Sequence, residues 1–155
     1  DLINTFMTMT NAKINTIQLQ AIQHKGETVE EILVDGEVVN SGLTIDFYSL
    51  VSSAQGWGDF FILTCSCGEA SCIGLSEDDK IKVTHTDSTI KWHITEPKPE
   101  RTFVFEKKQY ISAILEFFNT INGTNSKNAY TLIGTFGYDE DRFNADFKKI
   151  KAFNL

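Results

Sequence analysis

The three cysteines of the chain lie in one short segment, Cys65-Ser66-Cys67-Gly68-Glu69-Ala70-Ser71-Cys72. Thiolates bind zinc, and two adjacent thiols can form a disulfide. The spacing is Cys-x-Cys-x4-Cys, and the chain lacks the two Cys-x2-Cys pairs that supply the four ligands of a zinc ribbon. His85 and His93 fall on opposite faces of the next predicted hairpin, so at most one of them could point at the thiols. A small zinc-binding module that uses Cys65, Cys67 and Cys72 therefore remains an alternative function.

The cysteine segment also fits an ordinary hairpin. At period two, Cys65 and Cys67 share a face with bulky apolar neighbours. A loop over residues 68–71 would place Cys67 and Cys72 opposite each other, within reach of a disulfide. No Lys, Arg or His flanks the thiols closely enough to activate them, which argues against a redox or nucleophilic cysteine. We expect inert, buried thiols that pack a hairpin, with no bound metal and no cofactor.

Motifs for catalysis are missing from the rest of the chain. The sequence has no glycine-rich phosphate loop, no His-Glu-x-x-His and no nucleophile elbow. Its three histidines are widely spaced and cannot be assembled into an acid–base pair from sequence alone. We therefore predict no catalytic residues and expect that the protein is not an enzyme; an enzyme with an unrecognised site is a minor alternative.

Composition points to one globular domain with an acidic surface. The chain has 155 residues, of which 41% are hydrophobic, enough to bury a core. We predict a single domain over 1–155, with residues 1–13 as a flexible N-terminal extension. The N-terminus lacks a secretory pattern, no apolar run approaches the roughly 20 residues that span a bilayer, and the odd number of cysteines does not fit a disulfide framework. The expected location is the cytoplasm.

The net charge of −7 restricts the classes of partner. Such a surface repels nucleic acid and anionic membranes, so neither is an expected partner, whereas it suits a basic protein. Two acidic runs are candidate partner-binding residues, Glu77-Asp78-Asp79 and Asp139-Glu140-Asp141. A purely structural role is the alternative for both, as a solvated turn and as a helix N-terminus. The oligomeric state is left open.

Hydrophobic periodicity predicts an α+β domain, mainly antiparallel sheet in meanders and hairpins, with two to three packing helices. Turns at His24–Glu27 and at Asp35-Gly36 separate the first strands. The predicted helices cover residues 44–55, 107–122 and 139–153. The first strands are residues 14–22 and a hairpin over residues 31–39. The later predicted strands are residues 59–67, 72–75, 81–85, 90–94, 103–105 and 130–136.

Several of these segments together resemble a known group of proteins. The stretch from Cys65 to Gly74 is followed by Val83-x-His85, by Ile90-Lys91-Trp92-His93-Ile94, by Phe103-Val104-Phe105 and by Lys108-Gln109-Tyr110-Ile111-x-Ala113-Ile114. This succession, over roughly residues 14–118, resembles small bacterial proteins with a Cys-x-Cys-Gly…Cys-x-Gly hairpin. Some of them are immunity proteins of contact-dependent growth inhibition and other polymorphic toxin systems.

The resemblance implies a function that the residues alone do not. It implies a non-catalytic bacterial protein of the cytoplasm that binds one cognate toxin domain and covers its active site. The toxin is expected to be a basic nuclease, which an acidic inhibitor would suit. The sequence does not reveal which aromatic residues form the contact surface.

Overall fold

The computed structural model describes residues 13–124 and 139–153. The strand predicted at 130–136 and nearly all of the predicted N-terminal extension lie outside these residues. In the described part, the chain forms a compact α+β domain of antiparallel sheets and three helices, which confirms the predicted fold class.

Residues 13–124 contain nine strands in three sheets, all paired antiparallel. The first sheet has the order β1-β2-β3, the second pairs β4 with β6, and the third has the order β5-β7-β8-β9. The strands are β1 (Ile17–His24), β2 (Glu27–Val34), β3 (Glu37–Val38), β4 (Thr44–Ile45), β5 (Gly58–Phe60), β6 (Leu63–Thr64), β7 (Ile81–His85), β8 (Thr89–Ile94) and β9 (Arg101–Glu106).

Glycine-containing turns set the first two hairpins, as the sequence predicts. Lys25 and Gly26 have φ angles of 51° and 81°, and Asp35 and Gly36 have 53° and 85°. Positive φ at both central residues matches the right-handed twist of the strands on either side. The Asp35 carboxylate also accepts hydrogen bonds from the Thr16 backbone and the Asn15 side chain, which holds the base of the β1–β2 hairpin.

Three helices cover the sheets: α1 (Phe47–Gln55), α2 (Lys107–Thr124) and α3 (Glu140–Phe153). The first begins at Phe47 because the Asp46 carboxylate accepts the Ser49 N–H and caps it. An aromatic cluster joins the three helices, with Phe47 stacked on Phe117 at 5.3 Å. No described helix combines the length and apolar character that a membrane crossing requires.

The core between the four-stranded sheet and α2 is built around Trp92. Its indole is fully buried, lies edge-on to Phe105 at 5.2 Å and donates its N–H to the Tyr110 hydroxyl at 3.1 Å. That hydroxyl also shares a hydrogen bond of 2.6 Å with Ser53. Burial raises the pKa of Tyr110, so the phenol stays neutral and all three polar groups are satisfied.

Two of the predicted strands are wrong. The segment predicted as one strand over 59–67 is divided into β5 and β6, and residues 72–75 do not return as a strand. Ile62, Leu63 and Thr64 are buried in succession, so the alternation that a continuous strand requires is interrupted. Residues 70–73 instead form a 3-10 helix that carries Cys72.

Candidate functional site

The cysteine loop begins where β6 ends. Thr64 pairs with Thr44 of β4 and is buried, and the chain leaves the sheet at Cys65. Gly68 then reverses the chain with a φ of 85°, and its N–H donates to the Cys65 carbonyl at 2.9 Å. This turn holds the backbone of Cys65 and Cys67 in a fixed relation.

The returning half of the loop is anchored to the domain by two apolar residues. Ala70 and Leu75 are 6% and 8% exposed, and the Leu75 N–H donates to the Ala70 carbonyl at 3.2 Å. Gly74 ends the 3-10 helix in the left-handed region at φ 84°. Cys72 therefore projects from a short, anchored helix toward the first half of the loop.

The three sulfur atoms meet at one point of this loop. The Sγ atoms of Cys65, Cys67 and Cys72 all lie within 4.8 Å of one another, and those of Cys67 and Cys72 are 3.3 Å apart. In a tetrahedral zinc site with Zn–S bonds of about 2.3 Å, the sulfurs are about 3.8 Å apart. The Cys67–Cys72 separation is below that value and no pair exceeds 4.8 Å, so the three sulfurs are close enough to share one ion.

The exposure of these thiols corrects the prediction that they pack a hairpin core. Cys67 and Cys72 are exposed and Cys65 is half-buried. They lie outside the sheet because the strand ends at Thr64, before the first cysteine. The sulfurs therefore fill no core space and are accessible to a ligand.

Hydrogen bonds favour the thiolate form of Cys65. The Cys67 backbone N–H, together with the Cys67 and Ser66 side chains, donates toward the Cys65 sulfur and lowers the pKa of that thiol. Donation of backbone N–H groups to a sulfur stabilises its negative charge. The lowered pKa makes Cys65 a better metal ligand, because thiolates bind metal ions. The Cys67 backbone N–H that lowers it most belongs to the same loop.

Cys72 has the opposite property. Its hydrogen bond with Cys67, and the charge of that neighbour, raise the pKa of Cys72 to about 11. Negative charges on sulfurs this close repel one another, so at neutral pH the thiol of Cys72 keeps its proton. A bound cation would remove this penalty and displace the proton.

These shifts predict different alkylation profiles for the thiols of the metal-free protein. The iodoacetamide reaction of Cys72 should rise with pH toward a midpoint of about 11, while Cys65 should react at lower pH than an ordinary thiol. Cys67→Ser removes the largest cause of the shift and should lower the pKa of Cys72 from about 11, whereas burial and the neighbouring Cys65 should still keep it above the ordinary value of a thiol. Peptide-resolved mass spectrometry measures each site. An unchanged Cys72 profile in Cys67→Ser would contradict the stated cause.

No histidine joins the thiols. His85 is hydrogen-bonded to the Ser53 carbonyl at 2.7 Å, and burial lowers its pKa. His93 pairs with Glu100 at 2.8 Å, and His24 lies at the far end of β1. In the described residues the group of potential metal ligands consists of the three cysteines alone. Within these residues, a tetrahedral ion held by the three thiolates would keep one coordination position open.

The acidic candidates for partner binding lie in two separate elements. Glu77-Asp78-Asp79 forms a second 3-10 helix shortly after the cysteine loop, and Asp139-Glu140-Asp141 begins α3. The Asp79 carboxylate accepts the Ser76 N–H, Glu77 pairs with Lys80 at 2.7 Å, and the Asp139 carboxylate accepts the Arg142 N–H. Local structural roles thus account for three of the six acidic residues.

An exposed tryptophan is a feature that sequence reasoning missed. Trp57 is 71% exposed and immediately precedes β5, which is the edge strand of the four-stranded sheet. The signal in the sequence is its position between Gly56 and Gly58, just after a helix. Exposed tryptophan at a sheet edge is typical of protein-binding surfaces.

A groove between α2 and α3 offers less chemistry. It has a volume of about 520 Å³ and is lined by residues that include Leu115, Glu116, Phe118, Phe147 and Lys151. We assign no reaction to it.

Comparison of the chain with protein-family models, curated proteins and solved structures finds no match in any of the three. The geometry of the described residues is therefore the basis for assigning a function.

Proposed function

We propose that this protein binds a thiophilic d10 metal ion, zinc in the first instance, through the thiolates of Cys65, Cys67 and Cys72. The observation that carries the proposal is the convergence of all three sulfurs within 4.8 Å on an anchored, accessible loop. Without a bound ion, the convergence of three neutral thiols adds little to the stability of the fold, because these sulfurs do not pack in the core. A cation stabilises all three thiolates at once.

The proposed site has an open coordination position. All three cysteines of the chain are in the cluster, and each of the three histidines lies elsewhere. Three protein ligands plus an exchangeable ligand is the arrangement of zinc sites that interact with a further molecule, whereas structural sites are closed by a fourth side chain. A water molecule or a small anion completes the coordination in the isolated protein.

Metal analysis of protein purified without chelator and kept reduced tests the proposal. We expect about one zinc per chain, or stoichiometric uptake of Co²⁺ by the metal-free protein with the visible absorption of a tetrahedral thiolate complex. Reduction matters because a Cys67–Cys72 disulfide would remove two of the three ligands. If the reduced protein contains no metal and takes up none, the proposal is wrong.

A second candidate function is that of an immunity protein: a stoichiometric, non-catalytic inhibitor of a secreted bacterial toxin domain, with a basic nuclease as the expected target. The specific observation in its favour is Trp57, a large aromatic side chain that is 71% exposed at a sheet edge. The charge of −7 supports a basic partner, with Asp78 and the other exposed acidic residues at the rim of the contact.

Co-expression with the toxin fragment encoded by the adjacent gene tests this second function. The two proteins should co-elute in gel filtration, and the gene should protect cells from the toxin. Trp57→Ala should weaken the complex by about 30-fold or more, as expected for a central tryptophan of an interface. Phe153→Ala, at an exposed aromatic of α3, serves as the control and should have little effect. No complex and no protection would refute the immunity function.

A further inference from the structure

The hairpin of β1 and β2 extends beyond the domain as an arm. Every residue from Gln20 to Val29 is exposed, on both faces of the hairpin. Its outer face carries the cross-strand apolar pair Ile22 and Val29, at 38% and 37% exposure. A two-stranded hairpin with neither face covered is only marginally stable in water, so this arm gains from a further partner.

Side-chain amides cover both backbone edges of the hairpin at its base. Gln109 of α2 accepts the Ile17 N–H at 3.0 Å and donates to the Ile17 carbonyl at 2.6 Å. On the other edge, Asn40 accepts the Ile32 N–H at 2.8 Å and donates to the Glu30 carbonyl at 3.0 Å. Toward the tip of the hairpin from these contacts, the outer edges of β1 and β2 receive no further hydrogen bonds from the described residues of the domain.

Beyond Gln109, no strand of residues 13–124 or 139–153 pairs with the outer edge of β1. The Thr16 carbonyl faces β2, where it accepts the Asp35 N–H, and Ile17 faces away from β2 toward Gln109. By strand alternation, the backbone groups of Leu19, Ala21 and Gln23 also face away from β2. These groups have no hydrogen-bond partner in the part of the chain that the structure describes.

Charge distinguishes the two edges of the arm. β1 reads IQLQAIQH and contains no Asp, Glu, Lys, Arg or Pro, in a chain with a net charge of −7. β2 carries Glu27, Glu30 and Glu31. Sheet edges are usually protected from association by charged residues, proline or bulges. The β1 edge has none of these protections, whereas two β2 edges would repel each other.

We infer that a second copy of this chain pairs with the open edge of β1, antiparallel and centred on Ala21. In this register Leu19 lies opposite Gln23 of the other copy, and the open backbone groups form about six hydrogen bonds. The glutamates of the two β2 strands are then three strand spacings apart, roughly 14 Å. That distance exceeds the screening length of about 8 Å at physiological salt, so their repulsion is weak. The two arms form one continuous sheet, with both Ile22 side chains on its outer face.

Sedimentation velocity on the full-length protein tests the inference. At roughly 100 µM the wild-type protein should be a dimer, since this concentration nearly saturates a site of micromolar Kd. Ala21→Pro removes the outward N–H at the centre of the contact and should give a monomer. Thr28→Pro is the matched control, because it removes an outward N–H from the β2 edge of the same hairpin and should leave the dimer intact.

Circular dichroism of both variants shows whether the fold is retained. A wild-type monomer at this concentration would overturn the inference and leave the arm to a different protein partner. It would also be overturned if a folded Ala21→Pro variant remained dimeric, or if Thr28→Pro dissociated equally. The inference does not depend on the metal site, since the arm contains no cysteine.

Discussion

Replacing Cys67 by serine is expected to weaken zinc binding by more than about 100-fold, because losing a group that only hydrogen-bonds a ligand already costs about 10–100-fold. Cys67 lies between the other two thiols in sequence and 3.3 Å from the sulfur of Cys72. Serine presents a weaker, protonated ligand at the same position. Cys65→Ser and Cys72→Ser should have effects of similar size, measured by competition with a chromophoric zinc chelator under reducing conditions.

Ser71→Ala provides the matched control. Ser71 is an exposed residue of the same 3-10 helix as Cys72, and its substitution removes a hydroxyl but no sulfur. All four variants should keep wild-type stability in the absence of metal to within about 0.5 kcal/mol, as is usual for surface positions. Equal zinc affinity in the wild-type protein and the three serine variants would show that the thiols do not bind the metal.

The pH dependence of binding follows from the same group. Because the pKa of Cys72 is raised to about 11, this thiol is protonated at neutral pH in the metal-free protein and must release its proton to bind metal. Affinity should therefore rise with pH, by about tenfold per unit for each proton released. Proton release on zinc addition in weakly buffered solution gives an independent measurement.

Replacing Trp92 by alanine is expected to lower the free energy of unfolding by about 3–5 kcal/mol, the usual cost of removing a large buried aromatic side chain. Trp92 is fully buried, contacts Phe105 and Tyr110, and fills the space between β8 and α2. Its removal leaves a cavity, and the Tyr110 hydroxyl loses one hydrogen-bond partner. Trp92→Phe keeps most of the ring volume and should cost less.

The other tryptophan of the chain is the matched control for this prediction. Trp57 is 71% exposed, so Trp57→Ala should change stability by about 0.5 kcal/mol or less. Urea unfolding followed by circular dichroism measures both variants without depending on tryptophan fluorescence. Similar losses at the two positions would contradict the assignment of Trp92 to the core and Trp57 to the surface.

Local patterns account for the parts of the fold that the sequence predicts. Positive φ at Asp35-Gly36 sets a hairpin through neighbouring residues alone. The apolar positions of β7 and β8, among them Val83 and Trp92, are buried as their alternation indicates. The stripe of Tyr110, Ile114 and Phe117 faces the core for the same reason at helical spacing. In each case the spacing of the apolar residues along the sequence matches the repeat of the strand or helix, so these residues lie on one face of the element.

The region between α1 and β7 could not be predicted in the same way. The segment Phe60-Phe61-Ile62-Leu63 is continuously apolar. Because polar and apolar residues do not alternate in it, the sequence does not indicate which side chains face the core or where the strand ends. Pairing of β6 with β4 decides that end, and it depends on residues about twenty positions earlier in the chain. The prediction of a long strand with buried thiols was wrong for this reason.

The sequence by itself determined that the three thiols lie within eight residues, that the domain is α+β and acidic, and that the strands near the N-terminus form hairpins. Only the tertiary structure decided that the sulfurs converge outside the sheet and that neither His85 nor His93 joins them. It also decided that Trp57 is exposed and that no described strand pairs with the outer edge of β1. The physical reason is that spacing along the chain fixes local geometry, whereas exposure and convergence depend on which distant elements pack against a segment and on where that packing ends.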